Sequence, residues 1–240
     1  MKQGFISSVE NMGLVDGPGL RYVVFMQGCS LRCLYCHNPE TWKLNMGDKT
    51  TPQELIDDIL KYKNYYLNGG VTFSGGEPLM QPEFLIECLK LCKENNLHTA
   101  IDTAGVGLGL YEEILKYTDL VILDIKAIDD TMYKKITGRN MNKFDEFVSY
   151  LNKTNTKVWI RSVIVPGLND NKDYILKLDN YLKNLANIEK VELLPYHLYG
   201  VDKYKKLNIK YPLEGVKPMD ISSLKNLEDY LKYKKIIYNV

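Results

Sequence analysis

Nothing in these 240 residues approaches the ~18-residue apolar run that a bilayer-spanning helix needs, and the opening MKQGFISSVE is not a signal peptide. A soluble, cytoplasmic protein is the expectation. A dominant charge is missing as well. Thirty-one basic residues face 30 acidic ones for a net charge of +1, so there is no electrostatic reason to expect nucleic acid or an anionic membrane as partner. Histidine occurs three times and cysteine five times. The cysteine count is odd and three of the five crowd between residues 29 and 36, which excludes an ordinary disulfide framework and points to a metal centre. No internal repeat, low-complexity tract or interdomain linker is visible. Residues 1–240 therefore read as a single domain, within the ~250-residue reach of barrel-type folds. Ordinary proportions of hydrophobic (45%) and charged (25%) residues supply the core.

What the sequence does contain is a regular alternation of strand-like and helix-like segments. Strands are expected at Arg21 to Gln27, Val71 to Phe73, His98 to Asp102, Leu120 to Ile125, Lys157 to Val163 and Val191 to Leu194. The unbroken apolar character of Leu120 to Ile125 suits a buried parallel strand. Helices are expected near Pro52 to Tyr65, Pro82 to Glu94, Glu112 to Lys116, Lys143 to Asn152, Lys172 to Leu185 and Leu224 to Tyr233, with an apolar tail at Ile236 to Tyr238. The first helix opens on a capping box, with Thr51 as N-cap, Pro52 at N1 and Glu54 at N3. Six strand–helix units with right-handed crossovers predict an α/β fold, an open parallel sheet with outer helices arranged as a partial (βα)6 barrel. Leu198 to Asp220 lacks periodicity and is expected to be a long functional loop or a solvated surface loop.

The decisive segment is Cys29-Ser30-Leu31-Arg32-Cys33-Leu34-Tyr35-Cys36-His37-Asn38. Three thiolates at this spacing suit three corners of an iron–sulfur cubane. A structural zinc site is the alternative, but it wants four ligands, and His37 lies directly beside Cys36 rather than a few residues away. A second motif, Ser74-Gly75-Gly76-Glu77-Pro78, follows the second strand, and two successive glycines allow close backbone approach. In a parallel barrel the carboxyl ends of the strands share one mouth. Cys29, Gly76, Glu77, Asp102, Thr103, Asp124, Lys126, Arg161 and His197 all fall at or near such ends. Asp124 taken singly also reads as a satisfied buried acid. Cys88 and Cys92 read as small core residues of a helix, and His98, at the start of its strand, belongs to the far end.

The cysteine spacing, with aromatic Tyr35 before the last thiol, resembles the radical S-adenosylmethionine superfamily. The resemblance extends to the pyruvate formate-lyase-activating family along the whole chain. It is carried by Ser8-Val9-Glu10, Asp16 to Gly19 with Arg21, Gln27-Gly28-Cys29, Cys33 to Asn38, Ser74 to Glu77, Asp102-Thr103 and Leu123 to Lys126. It continues through Val158 to Arg161, Val165 to Gly167, Leu193 to His197 and Leu213 to Pro218, and departs at Ala104, where the family commonly has asparagine. The resemblance implies one 4Fe–4S cluster on Cys29, Cys33 and Cys36. It further implies S-adenosyl-L-methionine held by Tyr35, Cys36, His37, Gly75, Gly76, Glu77, Asp102, Asp124, Ile125, Lys126 and His197, with no acid–base or nucleophilic residue. Within that set, Tyr35 is expected against the adenine, the glycine motif and Glu77 on the methionyl ammonium, and Lys126 on the carboxylate. Asp124 is expected on the ribose or a cation, and His197 on ribose or adenine. A monovalent cation shared by Asp102 and Asp124 is a further expectation.

The implied reaction is one-electron cleavage of the sulfonium to a 5′-deoxyadenosyl radical, which takes a hydrogen from a glycine Cα in the glycyl-radical loop of pyruvate formate-lyase. The implied electron donor is a low-potential flavodoxin or ferredoxin, and the protein is expected to be a monomer. Leu198 to Asp220, with Lys203, Lys205 and Lys206, is expected to border the peptide groove. Five cysteines cannot ligate the two extra clusters that many other activases carry in an inserted module. Two alternatives remain at this point, another enzyme of the superfamily and a zinc-stabilised binding protein without catalysis.

Overall fold

The computed structural model describes residues 2–232, and its centre is one eight-stranded sheet. In chain order the strands are β1 (Gly4–Gly13), β2 (Arg21–Met26), β3 (Asp48–Thr50) and β4 (Gly70–Gly75), then β5 (Thr99–Thr103), β6 (Leu120–Asp124), β7 (Lys157–Ile164) and β8 (Ile188–Pro195). Their spatial order is β3-β1-β2-β4-β5-β6-β7-β8. The run β2-β4-β5-β6-β7-β8 is parallel throughout, so all six expected strands are present. The sheet does not close, since β3 and β8 are its edges. This is the open, partial barrel that the alternation of elements predicts.

The antiparallel pairs β1–β2 and β1–β3 were not expected. β1 (GFISSVENMG) is half-exposed and has register shifts between Ile6 and Ser8 and between Glu10 and Gly13. A strand paired at the sheet margin and broken by bulges carries no clean two-residue hydrophobic alternation.

Eight helices accompany the sheet among the described residues: α1 (Pro52–Leu60), α2 (Pro82–Glu94), α3 (Tyr111–Lys116), α4 (Asp130–Thr137), α5 (Asn142–Leu151), α6 (Lys172–Leu182), α7 (Val201–Lys206) and α8 (Ile221–Glu228). The capping box of α1 is formed, with the Glu54 amide donating to Thr51 Oγ1 at 3.2 Å and the Thr51 amide to Glu54 Oε2 at 2.8 Å. The helix expected to reach Tyr65 stops at Leu60. Lys63–Tyr65 form a separate 3-10 turn with no buried side chain to hold them in the helix. Two helices were missed, α4 and α7. α4 buries only Tyr133, Ile136 and Thr137, and its real signals are its ends: Asp129 as N-cap and Gly138 as a left-handed C-cap at φ 75°. α8 begins three residues earlier than expected, on the Asp220 cap, and ends at Glu228. Tyr233 and the Ile236 to Tyr238 tail lie outside the described residues.

Strand alternation divides the sheet into two faces. Val71, Phe73, Ile101, Val121, Leu123, Ile160 and Val191 join the helices in the main core. Truncating a fully buried side chain such as Phe73 or Leu123 to alanine costs about 2–5 kcal/mol. The alternate residues Ala100, Leu120 and Ile122 form a small separate cluster with Trp159. Two residues beyond Ala100, Ile122 and Trp159, on the same face, stand Asp102, Asp124 and Arg161. The inner face thus has an apolar floor and a polar upper rim, and that rim is the site.

Candidate active site

Gly28, two residues past the end of β2, has a left-handed conformation (φ 97°) that favours glycine, and the chain turns there into the cysteine loop. The Gly28 amide donates to Thr41 O at 2.7 Å and the Cys29 amide to Trp42 O at 3.2 Å. On its outer side the loop is laced to the end of α4, with Arg32 N–H bonding Thr137 O at 2.8 Å and Leu34 N–H bonding Ile136 O at 2.9 Å. Guanidinium groups fasten it further: Arg32 donates to Cys29 O and Leu31 O, and Arg139 to Ser30 O. The loop is therefore held by its backbone, which leaves its three thiols free.

Those thiols line one cavity of about 280 Å³ at the carboxyl ends of the parallel strands. Tyr35, His37, Ser74, Gly75, Gly76, Asp102, Asp124, Lys126, Arg161 and His197 line the same cavity. Nine of the eleven residues expected to contact the cofactor thus meet there, Cys36 among them. The other two do not. Ile125 is fully buried in the core, where its amide donates to Arg161 O and its carbonyl accepts from Ser162.

Glu77 is 1% exposed and lies behind the cavity wall. Its Oε1 accepts from Thr103 Oγ1 at 2.5 Å and Leu79 N–H at 3.2 Å, and its Oε2 from Ala104 N–H at 2.9 Å. This carboxylate braces the end of β4 against the end of β5. The adjoining glycines do similar work. A Cβ at Gly76 would lie 2.4 Å from Gly28 O, so that close backbone approach is made to the cysteine loop itself.

Charges alternate around the rim. Lys126 Nζ stands 2.5 Å from Asp124 Oδ2 and 5.4 Å from the Tyr35 ring centroid. Arg161 lies 3.6 Å from Asp102 and 3.1 Å from Glu192, and it also donates to Val15 O. Ser74 donates to Asp102 Oδ2 at 3.2 Å. Burial pushes Asp102 up to about 6 against the pull of Arg161, and pushes Glu77 up to about 7 despite its three donors. Burial opposes the charge on Lys126, but the carboxylate of Asp124 overcomes it and holds the ammonium well above the usual lysine range. His37 and His197 stack at 4.1 Å, and burial lowers both below the usual imidazole value.

Other residues fall outside the cavity. Cys88 and Cys92 are buried in α2. His98 lies at the opposite end of the strands, where Arg21 Nη2 is 3.3 Å from its Nδ1. A larger open depression of about 1190 Å³ is also there, beside His98, Asp119 and Lys157, and none of the five cysteines lines it. The segment after β8 carries α7, and its Lys203 is tied to Asn38 Oδ1 at 2.7 Å and Glu40 Oε1 at 2.5 Å. Trp42 and Thr41, which line the cavity, carry no motif; only closeness in sequence to Cys36 could have pointed to them.

Residues 23–178 match the model of the radical SAM superfamily. The chain is 58% identical over 97% of its length to the pyruvate formate-lyase-activating enzyme of Clostridium pasteurianum, covering 98% of that protein. The chain belongs to this activating-enzyme family of the radical SAM superfamily. It is also 46% identical to the pyruvate formate-lyase-activating enzyme of Staphylococcus epidermidis, with 97% of each chain covered. The crystal structure of a domain of a pyruvate-formate lyase-activating enzyme from Bacteroides vulgatus shares the fold, with a TM-score of 0.55 at 24% identity. That match covers 68% of this chain and 93% of that one.

Family membership implies a 4Fe–4S cluster and S-adenosylmethionine, and the residues fit both. Soft thiolates are the ligands such a cluster takes, and three free thiols line one wall. Burial raises Cys29 above the usual thiol range and Cys33 to about 12, so loading the cluster must displace protons. Two buried polar atoms of cavity residues, Tyr35 Oη and Asp124 Oδ1, have no protein partner, as suits groups facing a polar cofactor. Among the described residues no three His, Cys, Asp or Glu side chains gather closely enough to hold a single metal ion. The three thiols flank a cavity rather than a point.

Proposed function

We propose that this chain installs a glycyl radical in pyruvate formate-lyase. The observation that carries the reading is the cavity where Cys29, Cys33 and Cys36 meet Gly75, Gly76, Asp102, Asp124 and Lys126. Near-full-length identity to activating enzymes supports it. When bound, the reduced cluster and S-adenosylmethionine supply the 5′-deoxyadenosyl radical that takes hydrogen from a glycine Cα, leaving methionine and 5′-deoxyadenosine.

The protein's part is to bind, orient and exclude water. Cys29, Cys33 and Cys36 would hold the cluster through their thiolates. Lys126, already paired with Asp124, has ammonium protons left for the cofactor's carboxylate. Ser74, Gly75 and Gly76 face the cavity for the methionyl ammonium, while Glu77 fixes their strand end from behind. Asp124 Oδ1 is free for a ribose hydroxyl or, with Asp102, for a monovalent cation. Tyr35 offers a ring for adenine, and the stacked pair His37 and His197 offers ring edges and nitrogens for adenine or ribose. Residues 1–240 act as one radical SAM unit, and the described residues are built on a single sheet.

The electron donor is a low-potential flavodoxin or ferredoxin. Exposed Arg32, Lys134, Lys135 and Arg139 beside the cysteine loop favour an acidic partner of that kind. A monomer working in the reducing cytoplasm suits the free thiols. No helix among the described residues is long and apolar enough to cross a membrane.

The test is anaerobic incubation of the reconstituted protein with reductant, S-adenosylmethionine and pyruvate formate-lyase. The expected result is an organic radical signal on the partner by electron paramagnetic resonance. Cofactor cleavage with no radical on the partner would refute the assigned substrate.

A further inference from the structure

Trp42 is the residue after the 3-10 turn Pro39–Thr41 and is one of two tryptophans in the chain. It meets the cysteine loop at both ends. Its carbonyl accepts from the Cys29 amide at 3.2 Å, and its indole Nε1–H donates to Cys36 Sγ at 3.3 Å. Of the three loop sulfurs, that of Cys36 thus receives a side-chain donor.

The indole is firmly seated. Tyr204 of α7 meets it edge-on with centroids 5.8 Å apart, and the Arg32 guanidinium lies 4.8 Å from the ring centroid. A cation over the ring draws density from it and makes its single N–H a stronger donor. α7 is in turn tied to the same turn through Lys203, Asn38 and Glu40. The donor is thus aimed at the sulfur by packing on one side and a cation on another.

We infer that Trp42 is a positioning residue that sets the reduction potential of the cluster through its hydrogen bond to Cys36. The inference rests on the reading of Cys29, Cys33 and Cys36 as cluster ligands. Once deprotonated, Cys36 is a charged and therefore stronger acceptor. Adding one electron raises the negative charge on the cluster's sulfurs, so a donor to one of them stabilises the reduced form more than the oxidised form. No bond forms or breaks; the electron comes from the reductant. Losing the N–H shifts the one-electron equilibrium toward the oxidised form by about tenfold, which corresponds to about 59 mV.

The experiment is a potentiometric titration of the reconstituted full-length protein with dithionite and mediators, read by electron paramagnetic resonance, with iron content assayed in parallel. Trp42→Phe keeps a ring against Tyr204 and Arg32 but has no donor. A second variant carries 3-benzothienylalanine at position 42, which keeps the indole outline and replaces N–H by sulfur. Both are expected to retain iron and to titrate about 59 mV lower than the parent. Iron-loaded variants with the parent's potential would overturn the inference while leaving the cluster reading intact. A parent protein that holds no iron–sulfur cluster would overturn both.

Discussion

Glu77→Gln separates two roles for the acid of the second motif, because the brace seen here acts before any cofactor arrives. Glutamine can keep an oxygen toward Thr103 and Leu79, but its amide nitrogen then faces the Ala104 N–H that Oε2 now accepts at 2.9 Å. One buried donor loses its partner, at a cost of about 1–3 kcal/mol. An opposing effect depends on pH. Burial raises the folded-state carboxyl from 4.5 to about 7, so between those values the folded protein holds a proton that the unfolded chain has released. Stability of the parent therefore falls as pH rises through that window, by about 3 kcal/mol in total.

The variant lacks this slope. It should be less stable than the parent at pH 5 and close to it at pH 8. Urea denaturation of the cluster-free protein under reducing conditions at several pH values measures both, since the difference between the two proteins cancels Asp102 and the histidines. An unchanged slope in the variant would show that Glu77 does not carry the proton. Equal stability at pH 5 would remove the brace.

The remaining predictions concern the cavity. Alanine at Cys29, Cys33 or Cys36 should abolish the cluster's absorption and all cofactor cleavage, whereas alanine at buried Cys88 or Cys92 should cost only about 1 kcal/mol of stability; iron retained without Cys33 would contradict the ligand set. Lys126→Ala and His197→Ala should keep full iron but weaken S-adenosylmethionine binding by roughly ten- to a hundredfold, measured by calorimetry below the melting range. The Lys126 change also strands Asp124 and should cost about 3–5 kcal/mol of stability. Wild-type affinity in both variants would mean the cofactor lies elsewhere.

Much of this molecule was legible in its residues. The parallel strands announced themselves as short apolar, β-branched runs, and their carboxyl ends gave the rim because parallel strands bring all of those ends to the same mouth. α2, with its proline start and apolar stripe, runs over the expected residues. Less legible were elements held by few apolar contacts. β1 lies in a bulged, half-exposed pairing, and α4 and α7 bury three residues and one residue respectively.

Within the site, spacing showed which residues share an end but not which way a side chain turns. Glu77 and Ile125 sit at the right strand ends yet point into protein. Trp42 belongs to no motif, and only the fold brings its N–H to Cys36. Lys203 looked like a solvated lysine or a groove residue, whereas it ties α7 to the cysteine loop.

In the proposed function this cavity directs a radical at a glycine Cα of a partner protein. The most direct measurement supplies pyruvate formate-lyase, or a short peptide spanning its radical-site glycine, with deuterium at that Cα, and analyses the 5′-deoxyadenosine formed by mass spectrometry. Deuterium is expected in the 5′-deoxyadenosine. Cofactor cleaved in full with no deuterium recovered from either substrate would contradict hydrogen abstraction from that Cα.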